Sequence, residues 1–167
     1  RRYSTGGLCT IRLITYKAEH DSVKVLLARL RMPTGAAQVD NFNAAGIAAP
    51  VDVGTGLLGA AVALDPERES FEKHPDTGAR IAGAVVPLWE QACAQVLEAH
   101  REFDWLPTIG WDVVIGQSGI LLLEANPNWS IDLAQLPGNS PLGATSYPEF
   151  YLAFVDSNER RVLAGKV

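Results

Sequence analysis

Three residues near the C-terminal end of the chain are of types that bind a hard divalent cation. Glu124 and Asn126 lie in the apolar stretch LLLEAN, and Asp112 lies upstream in GWDVVIG. A carboxylate on an apolar strand is costly to bury unless it is paired or binds a metal. Carboxylate and amide oxygens suit Mg²⁺ or Mn²⁺, and Mg²⁺ usually takes one or two carboxylates plus substrate phosphates. The residue types therefore indicate either a metal site completed by a nucleotide or a structural salt bridge at the end of a sheet.

The register of one hairpin determines whether these side chains meet. Residues 108–126 predict two strands joined around GQSGI. A two-residue turn would set Asp112 opposite Leu123, so that Asp112 and Glu124 would point to opposite faces. A three-residue loop over 117–119, with a left-handed glycine at its third position, sets Asp112 opposite Glu124. We predict the three-residue loop because it gathers the two carboxylates on one face.

The same register assigns the remaining residues of the hairpin to its two faces. It sets Asn126 opposite Gly110, and strand alternation keeps Asn126 on the face of Glu124. The other face then carries apolar side chains and is predicted to be a buried layer. This layer consists of Trp111, Val113, Ile115, Leu121, Leu123 and Ala125.

The rest of the chain predicts a sheet that would support this hairpin. Apolar residues in partial alternation favour strands, and the spacing of Ala92 and Val96 with their neighbours favours a helix that packs on the sheet. This order of elements indicates an α+β fold, mainly an antiparallel sheet with helices packed on one face. The predicted elements are strands at 8–17, 23–31 and 57–65, a short strand after the loop that begins VDNFNAAGI, a charged loop at 65–79, a helix at 87–103 with Pro87 at its first position, and a last helix at about 147–158.

Composition bounds the class of protein. The chain has 167 residues, of which 47% are hydrophobic, and this suits a single domain over residues 1–167. A net charge of −5 without a basic stripe argues against a nucleic-acid partner. No apolar run approaches the roughly 20 residues of a membrane helix. Cys9 and Cys93 form no CxxC pair, so we expect reduced cysteines and a cytoplasmic protein.

Other motifs in the chain favour turns rather than sites. Residues 54–59, GTGLLG, match the GxGxxG pattern of dinucleotide-binding oxidoreductases, but Pro66 cuts short the helix that this motif must open. A turn between antiparallel strands is the preferred interpretation. Ser118 precedes a predicted strand, whereas the nucleophile elbow of a hydrolase precedes a helix. The histidines have no metal-ligand spacing, and His74 in HPDTG is predicted to be a turn residue.

Four motifs in order resemble one known family. GWDVVIGQSGILLLEAN is similar to the C-terminal hairpin of the ATP-grasp superfamily, which includes D-alanine–D-alanine ligases, glutathione synthetases and glutamate ligases. Together with CTIRLITY, VDNFNAAGI and HPDTG, it resembles the sugar-transfer-associated ATP-grasp family, which is related to α-L-glutamate ligases. The resemblance covers about residues 8–143, and the order of four motifs is more specific than any one of them.

This resemblance implies an ATP-dependent carboxylate–amine ligase that works through an acyl-phosphate, with ATP as substrate and Mg²⁺ or Mn²⁺ as cofactor. Its partners would be small-molecule carboxylates and amines. By the resemblance, Glu124 bridges two metal ions, while Asp112 and Asn126 each hold one. Arg12 matches an arginine that meets the phosphates or the acyl-phosphate; without the resemblance, a surface salt bridge would be the preferred interpretation. The other matching residues are Arg31, as a second phosphate or carboxylate arginine, and Asn41, in the loop beside the phosphates.

Members of this superfamily hold ATP between two lobes, and the earlier lobe brings phosphate-binding lysines and an adenine-binding hinge. This chain has only Lys17, Lys24, Lys73 and Lys166. We therefore expect the chain to be the C-terminal lobe alone, partnered by the N-terminal lobe of the same protein and unable to turn over ATP by itself. The alternative is a degenerate, non-catalytic nucleotide-binding or interaction module.

Overall fold

The computed structural model describes residues 2–18, 22–35, 46–64, 70–103 and 105–163, of which 158–163 are described by backbone alone. Over these residues the chain forms one seven-stranded antiparallel sheet and three α-helices. The strands are β1 (Thr10–Lys17), β2 (Val23–Met32), β3 (Ile47–Val51), β4 (Ala61–Ala63), β5 (Ser70–Phe71), β6 (Thr108–Gly116) and β7 (Gly119–Asn126). The helices are α1 (Trp89–Arg101), α2 (Ile131–Gln135) and α3 (Tyr147–Leu163), with a 3₁₀ turn at Leu142–Ala144.

The strand order places the N-terminal hairpin and the C-terminal hairpin side by side. The order is β5-β4-β3-β2-β1-β6-β7, so β1 pairs with both β2 and β6, and β7 forms an edge. This confirms the predicted α+β fold with an antiparallel sheet. The strands predicted at 8–17 and 23–31 are confirmed as β1 and β2, and the helix predicted at 147–158 is α3, which continues to Leu163.

The main hydrophobic core lies between α1 and one face of the sheet. Buried side chains of β1 and β2, including Ile11, Leu13 and Leu30, pack with Ala92 and Val96 of α1. Strand β1 is buried on both faces, so its polar residues Arg12 and Thr15 are buried along with its apolar ones.

The start of α1 differs from the prediction. The helix begins at Trp89, after Leu88 adopts a left-handed conformation with φ of 51°. Pro87 therefore does not occupy the first helical position. The turn at Leu88 directs Trp89 into the core, where its indole N–H donates to the Val53 carbonyl at 2.9 Å, and leaves Leu88 exposed.

Helical segments also pack on the opposite face of the sheet. There Ile14 and Leu27 contact Trp129, Ala134 of α2 and Leu142 of the 3₁₀ turn. The prediction of helices on one face thus holds for α1 but misses α2. A five-residue helix capped by Ser130 is too short to show helical periodicity, so only tertiary packing reveals it.

The β6–β7 hairpin has the predicted pairing but a different turn. Gly116 pairs with Gly119, so the connection is a two-residue turn, and the predicted three-residue loop is wrong. The register then shifts by one residue farther along, because Val113 pairs with Leu122 while Asp112 pairs with Glu124. The extra residue is a bulge within β7, which restores the pairing that the predicted loop was meant to produce.

The position of this bulge changes which leucines are buried. Leu121 and Leu123 were expected in the core, but they are 57% and 47% exposed. Ile120 and Leu122 pack against the core in their place. Successive side chains of β7 alternate between the two faces of the sheet, and the bulge shifts this alternation by one residue. The residues that face the core are therefore every second residue on either side of the bulge, but not across it.

Two other predicted segments are confirmed or corrected. Residues 54–59 form a turn between the antiparallel strands β3 and β4, as predicted, and Asp52 accepts hydrogen bonds from the Thr55 amide and hydroxyl. The strand predicted at 57–65 is only β4, preceded by isolated bridges, and the loop predicted at 65–79 contains β5. In the part of the chain that the structure describes, none of the helices combines the length and apolar character needed to cross a membrane.

Candidate functional site

A buried carboxylate held by two arginines lies in the middle of the sheet. Asp112 on β6 is only 6% exposed. Its Oδ1 accepts from Arg12 Nε at 2.5 Å, and its Oδ2 accepts from Arg12 Nη2 at 3.1 Å. The same Oδ2 also accepts from Arg31 Nη2 at 3.0 Å. Three residues singled out in the sequence therefore meet at one point, with both carboxylate oxygens engaged.

Strand pairing brings these residues together from distant parts of the chain. Arg12 on β1 lies directly opposite Asp112 on β6, and the side chains of such a pair share a face. Arg31 on β2 lies opposite Thr10, and its Nε and Nη2 donate to the Thr10 hydroxyl at 2.9 and 2.6 Å. Thr10, which the sequence interpretation did not include, thus orients the Arg31 guanidinium towards Asp112.

Glu124 and Asn126 extend this cluster onto the edge strand β7. Glu124 lies opposite Asp112, and Asn126 lies opposite Gly110, as predicted. Glu124 is exposed and makes no hydrogen bond or ion pair with the residues that the structure describes. Asn126 Nδ2 is buried and lacks a hydrogen-bond partner within those residues. A buried donor without a partner costs about 1–3 kcal/mol, so a ligand oxygen at this position would be stabilised by it.

A close approach at Gly110 orients the Arg12 side chain. A Cβ atom at Gly110 would lie 2.8 Å from Trp129 Cβ and 3.2 Å from Arg12 Cδ. The Trp129 indole N–H in turn donates to the Thr108 hydroxyl at 3.2 Å. Glycine therefore allows Trp129 to pack beside the aliphatic stem of Arg12, which directs the guanidinium towards Asp112.

Arg29 is a third arginine on this face, and the sequence interpretation missed it. It lies opposite Arg12 and is 3% exposed. Its Nε donates to the Ala134 carbonyl at 3.1 Å, its Nη2 donates to the same carbonyl, and its Nη1 donates to the Ala28 carbonyl at 2.9 Å. Burial lowers the pKa of Arg29 to about 10. Arg29 attaches α2 to the sheet beside the cluster; its signal in the sequence was an arginine inside the apolar stretch LLARL.

The HPDTG segment acts as a turn, as predicted for His74. The His74 ring is buried, its Nε2 lies 3.0 Å from the Pro33 carbonyl, and its Nδ1 accepts from the Asp76 and Thr77 amides at 3.3 and 3.4 Å. The Asp76 carboxylate accepts from the Gly35 amide at 2.8 Å. These contacts hold the chain that follows β2, so the segment stabilises the end of the strand that carries the second arginine.

The donor set fits a hard divalent cation that binds together with phosphates. Within the described ranges, no three His, Cys, Asp and Glu side chains gather in a group that would hold a metal ion. Asp112 and Glu124 with the Asn126 amide oxygen would leave a cation short of protein ligands, which is usual where Mg²⁺ also binds substrate phosphates. Arg12 and Arg31 add the N–H donors that phosphate oxygens bind well.

The cluster is buried at Arg12 and Asp112 and reaches the surface at Glu124. A cavity of about 700 Å³ lies on the α1 side of the sheet, where Ile11 and Leu30 line it together with residues 2–9. Ile11 and Leu30 point away from the face of the arginines because successive side chains on a strand alternate between faces. The cavity is therefore separate from the cluster. Asn41, which was predicted to contribute to this site, lies outside the described residues.

Comparison with known protein families gives a match over most of the chain. The model of a family described as sugar-transfer associated ATP-grasp matches residues 1–146. No curated protein and no solved structure matches the chain at a significant level. The matched segment includes every residue of the cluster, from Thr10 to Asn126, and agrees with the resemblance of the four sequence motifs.

Proposed function

The chain belongs to the sugar-transfer associated ATP-grasp family, and from this membership we propose that it is the C-terminal lobe of an ATP- and Mg²⁺-dependent carboxylate–amine ligase. Membership in the family brings nucleotide binding and an ATP-grasp ligase type of function in general terms. The proposal adds an acyl-phosphate intermediate, a second lobe in the same protein, and specific roles for the residues of the cluster.

The observation that carries the proposal is a row of opposite charges across three neighbouring strands. Arg12, Asp112 and Glu124 lie side by side on β1, β6 and β7, on one face of the sheet. Transfer of a phosphoryl group depends mainly on positioning and on neutralising charge. The guanidinium on this face supplies N–H donors for phosphate oxygens, and the two carboxylates supply ligands for cations. Each of these groups lies on the strand next to that of its neighbour in the row.

The metal roles are those that the family resemblance implies, and the position and exposure of the residues agree with them. We assign Glu124, the exposed carboxylate, as the ligand shared by two cations, and Asp112 and Asn126 as ligands of one cation each. Bound Mg²⁺ or Mn²⁺ would neutralise phosphate charge and hold the phosphates in line for transfer. The buried Asn126 Nδ2, a donor without a partner within the described residues, supports an acceptor oxygen such as that of a phosphate at this end of the row.

In the proposed reaction, a carboxylate oxygen of the substrate attacks the γ-phosphorus of ATP, and the bond between that phosphorus and the bridging oxygen of ADP breaks. An amine then attacks the carbonyl carbon of the acyl-phosphate, loses a proton, and displaces inorganic phosphate. Arg12 would donate to the oxygens of the transferred phosphoryl group, and Arg31 would donate to the same group or to the substrate carboxylate. The planar fork of a guanidinium suits both tasks. A glutamate-ligase-like substrate pair fits this scheme.

The exposed end of the row supports the proposed division into two lobes. Arg12 and Asp112 are buried, whereas Glu124 is exposed, and the exposed Leu121 and Leu123 lie close to it on β7. The chain has only four lysines, of which Lys17 and Lys24 lie at the far end of the β1–β2 hairpin from Thr10 and Arg31. We therefore propose that a preceding lobe supplies the phosphate-binding lysines and covers the exposed end of the row, and that this chain alone does not turn over ATP.

The test is calorimetric titration of Mg²⁺-ATP into a protein that carries both lobes, compared with its Glu124→Gln variant. The variant should bind Mg²⁺-ATP at least about tenfold more weakly, because it lacks the proposed shared carboxylate; this corresponds to about 1.4 kcal/mol. Glu98→Gln, which makes the same charge change on an exposed position of α1 across the sheet, serves as the matched control and should leave the affinity unchanged. Equal affinity in the Glu124→Gln variant and in the control would contradict the proposal.

A non-catalytic module is the second candidate, and one observation favours it. Both oxygens of Asp112 are held by arginines, as they would be in a purely structural ion cluster. Such a module would bind Mg²⁺-ATP or no nucleotide at all. In either case it would form no ADP, whichever carboxylate and amine were added. Formation of ADP that depends on a carboxylate substrate and on Glu124 would decide for the ligase.

A further inference from the structure

The two arginines of the cluster occupy most of the acceptor positions through which Asp112 could bind a cation. Three N–H groups reach the two oxygens of this carboxylate at 2.5 to 3.1 Å. The side chains of Arg12, Arg31 and Asp112 are 10%, 13% and 9% exposed, so water screens these contacts poorly. A divalent cation that bound Asp112 in this arrangement would meet two guanidinium charges at close range.

The four central side chains are balanced in charge, and Arg29 beside them adds a positive charge. Arg12 and Arg31 carry two positive charges, and Asp112 and Glu124 carry two negative charges. A free dication therefore gains little from the cluster and competes at Asp112 with two guanidinium groups. A polyphosphate changes this balance, because its oxygens accept the N–H groups that Asp112 gives up.

We propose that Arg12 and Arg31 shield Asp112 while no nucleotide is bound, so that a divalent cation reaches Asp112 only together with a polyphosphate that takes over the two guanidinium groups. The inference rests on the proposed function for the roles of metal and phosphate, and it adds how the site is regulated. Cation binding and phosphate binding are thereby coupled, and the coupling is the same in both directions.

The arrangement of Arg31 makes it the better residue for a test. Arg12 lies directly opposite Asp112 and donates to both of its oxygens, so its removal would leave a buried carboxylate with a single partner. Of the two oxygens of Asp112, Arg31 donates only to Oδ2. Arg31 also donates to the Thr10 hydroxyl. In Arg31→Gln, the amide can still donate to Thr10, while Asp112 keeps its two bonds from Arg12.

The experiment measures Mn²⁺ binding to the 167-residue chain without nucleotide, from the electron paramagnetic resonance signal of free Mn²⁺. Arg31→Gln should bind Mn²⁺ about tenfold more tightly than the wild-type chain, because one charge is removed from beside Asp112. Arg101→Gln makes the same change at an exposed position of α1 on the other face and should match the wild type. Adding Glu124→Gln to Arg31→Gln should remove the gain.

The inference is overturned if Arg31→Gln binds Mn²⁺ no more tightly than Arg101→Gln, or if the wild-type chain already binds as tightly as Arg31→Gln. Arg12→Gln is the second variant, and circular dichroism establishes that each variant is folded. A measurement on the wild type needs no variant at all: in ¹⁵N-resolved spectra, Mg²⁺ alone should leave the Arg12 Nε–H resonance in place, whereas Mg²⁺ with inorganic tripolyphosphate should move it. A shift with Mg²⁺ alone would refute the shielding.

These outcomes separate the inference from the proposed function. If the two-lobe protein binds Mg²⁺-ATP through Glu124 but Arg31→Gln gains no Mn²⁺ affinity, the shielding is wrong and the ligase proposal stands. If Arg31→Gln gains Mn²⁺ affinity but the two-lobe protein binds no Mg²⁺-ATP, the ligase proposal fails and the arginines still control access to Asp112.

Discussion

Two buried polar clusters lie on opposite faces of β1 and β6, and they differ in what they leave unsatisfied. On one face, Arg12 and Arg31 surround Asp112. On the other face, Thr15 and His100 form a neutral network inside the main core. Both clusters include buried residues of β1 and β6, but only the charged cluster extends to the edge strand β7.

The neutral network is complete. His100 Nε2 lies 3.0 Å from the Leu106 carbonyl, which can only accept, so Nε2 carries the ring proton. Nδ1 then accepts from the Thr15 hydroxyl at 2.6 Å, and that hydroxyl accepts from the Trp111 indole N–H at 2.9 Å. Both histidine nitrogens, the hydroxyl and the indole have partners, and such a network stabilises a unique core.

The charged cluster is incomplete by comparison. It continues to an exposed Glu124 without a partner among the described residues and to an Asn126 amide nitrogen that is buried without one. A network that serves only stability gains nothing from these two groups. The comparison teaches that unsatisfied polar atoms at the end of a satisfied network distinguish a candidate binding site from a structural one.

Removal of Asp112 should have the largest effect on stability. Asp112→Ala leaves two poorly exposed guanidinium groups without their carboxylate, and loss of one member of a buried ion pair typically costs about 3–5 kcal/mol. Urea unfolding measures the loss, with Asp156→Ala on the exposed side of α3 as the control. A loss below about 1 kcal/mol would mean that water solvates the arginines without Asp112, and the charged cluster would then not be a buried one.

Gly110→Ala should have an intermediate effect on the same cluster. The added Cβ would lie 2.8 Å from Trp129 Cβ, and overpacking of this kind costs about 1–3 kcal/mol. Gly143→Ala is the matched control, because nothing lies within 4 Å of a Cβ there. Urea unfolding of both variants provides the measurement. Equal stability of the two variants would show that Trp129 is free to move away from Arg12.

The neutral network should respond to pH, with a smaller effect. Burial, followed by the nearby charge of Lys17, lowers the pKa of His100 below its ordinary value of 6.5, while the hydrogen bond with Leu106 raises it in part. The folded protein therefore binds this proton less readily than the unfolded chain does. The resulting stability is complete above pH 6.5 and is lost as pH falls through the folded-state pKa.

Urea midpoints measured between about pH 8 and pH 5 test this expectation for His100. The midpoint should decline on acidification in the wild type, and the decline below about pH 6.5 should be shallower in His100→Gln, whose side chain does not titrate. The comparison uses the slope of the urea midpoint against pH rather than the absolute stability, because the substitution itself can lower stability at every pH. Parallel slopes in the two proteins would mean that His100 is not the group responsible.

Glu124→Gln should have the smallest effect on stability, in contrast to its predicted effect on nucleotide binding. An exposed side chain without partners usually contributes within about 0.5 kcal/mol. Thermal or urea unfolding of Glu124→Gln beside Asp112→Ala gives the measurement. A large loss in Glu124→Gln would place Glu124 among the structural members of the charged cluster and remove the distinction drawn between the two faces.

Much of the architecture could be predicted from local sequence patterns. Apolar strands, the 3.6-residue period of α1 and the Gly-bearing turns indicated the antiparallel α+β fold, and the GWDV and LEAN segments indicated a shared face for Asp112 and Glu124. The pairing of these two residues was predicted correctly but for the wrong reason. An extra residue in the loop and a bulge at Leu123 give the same offset between Asp112 and Glu124, and a sequence pattern records only that offset.

By itself, then, the sequence determined the residue types, the strand periods and the family motifs, because these depend on neighbours along the chain. The tertiary structure alone decided that Leu122 rather than Leu123 enters the core, and that Arg29 holds the Ala134 carbonyl of a five-residue helix. It also decided that Arg12 and Arg31 hold Asp112 from 100 and 81 residues away. Contacts at such separations depend on which strands pair and on how space fills between them, and no local period in the sequence encodes either one.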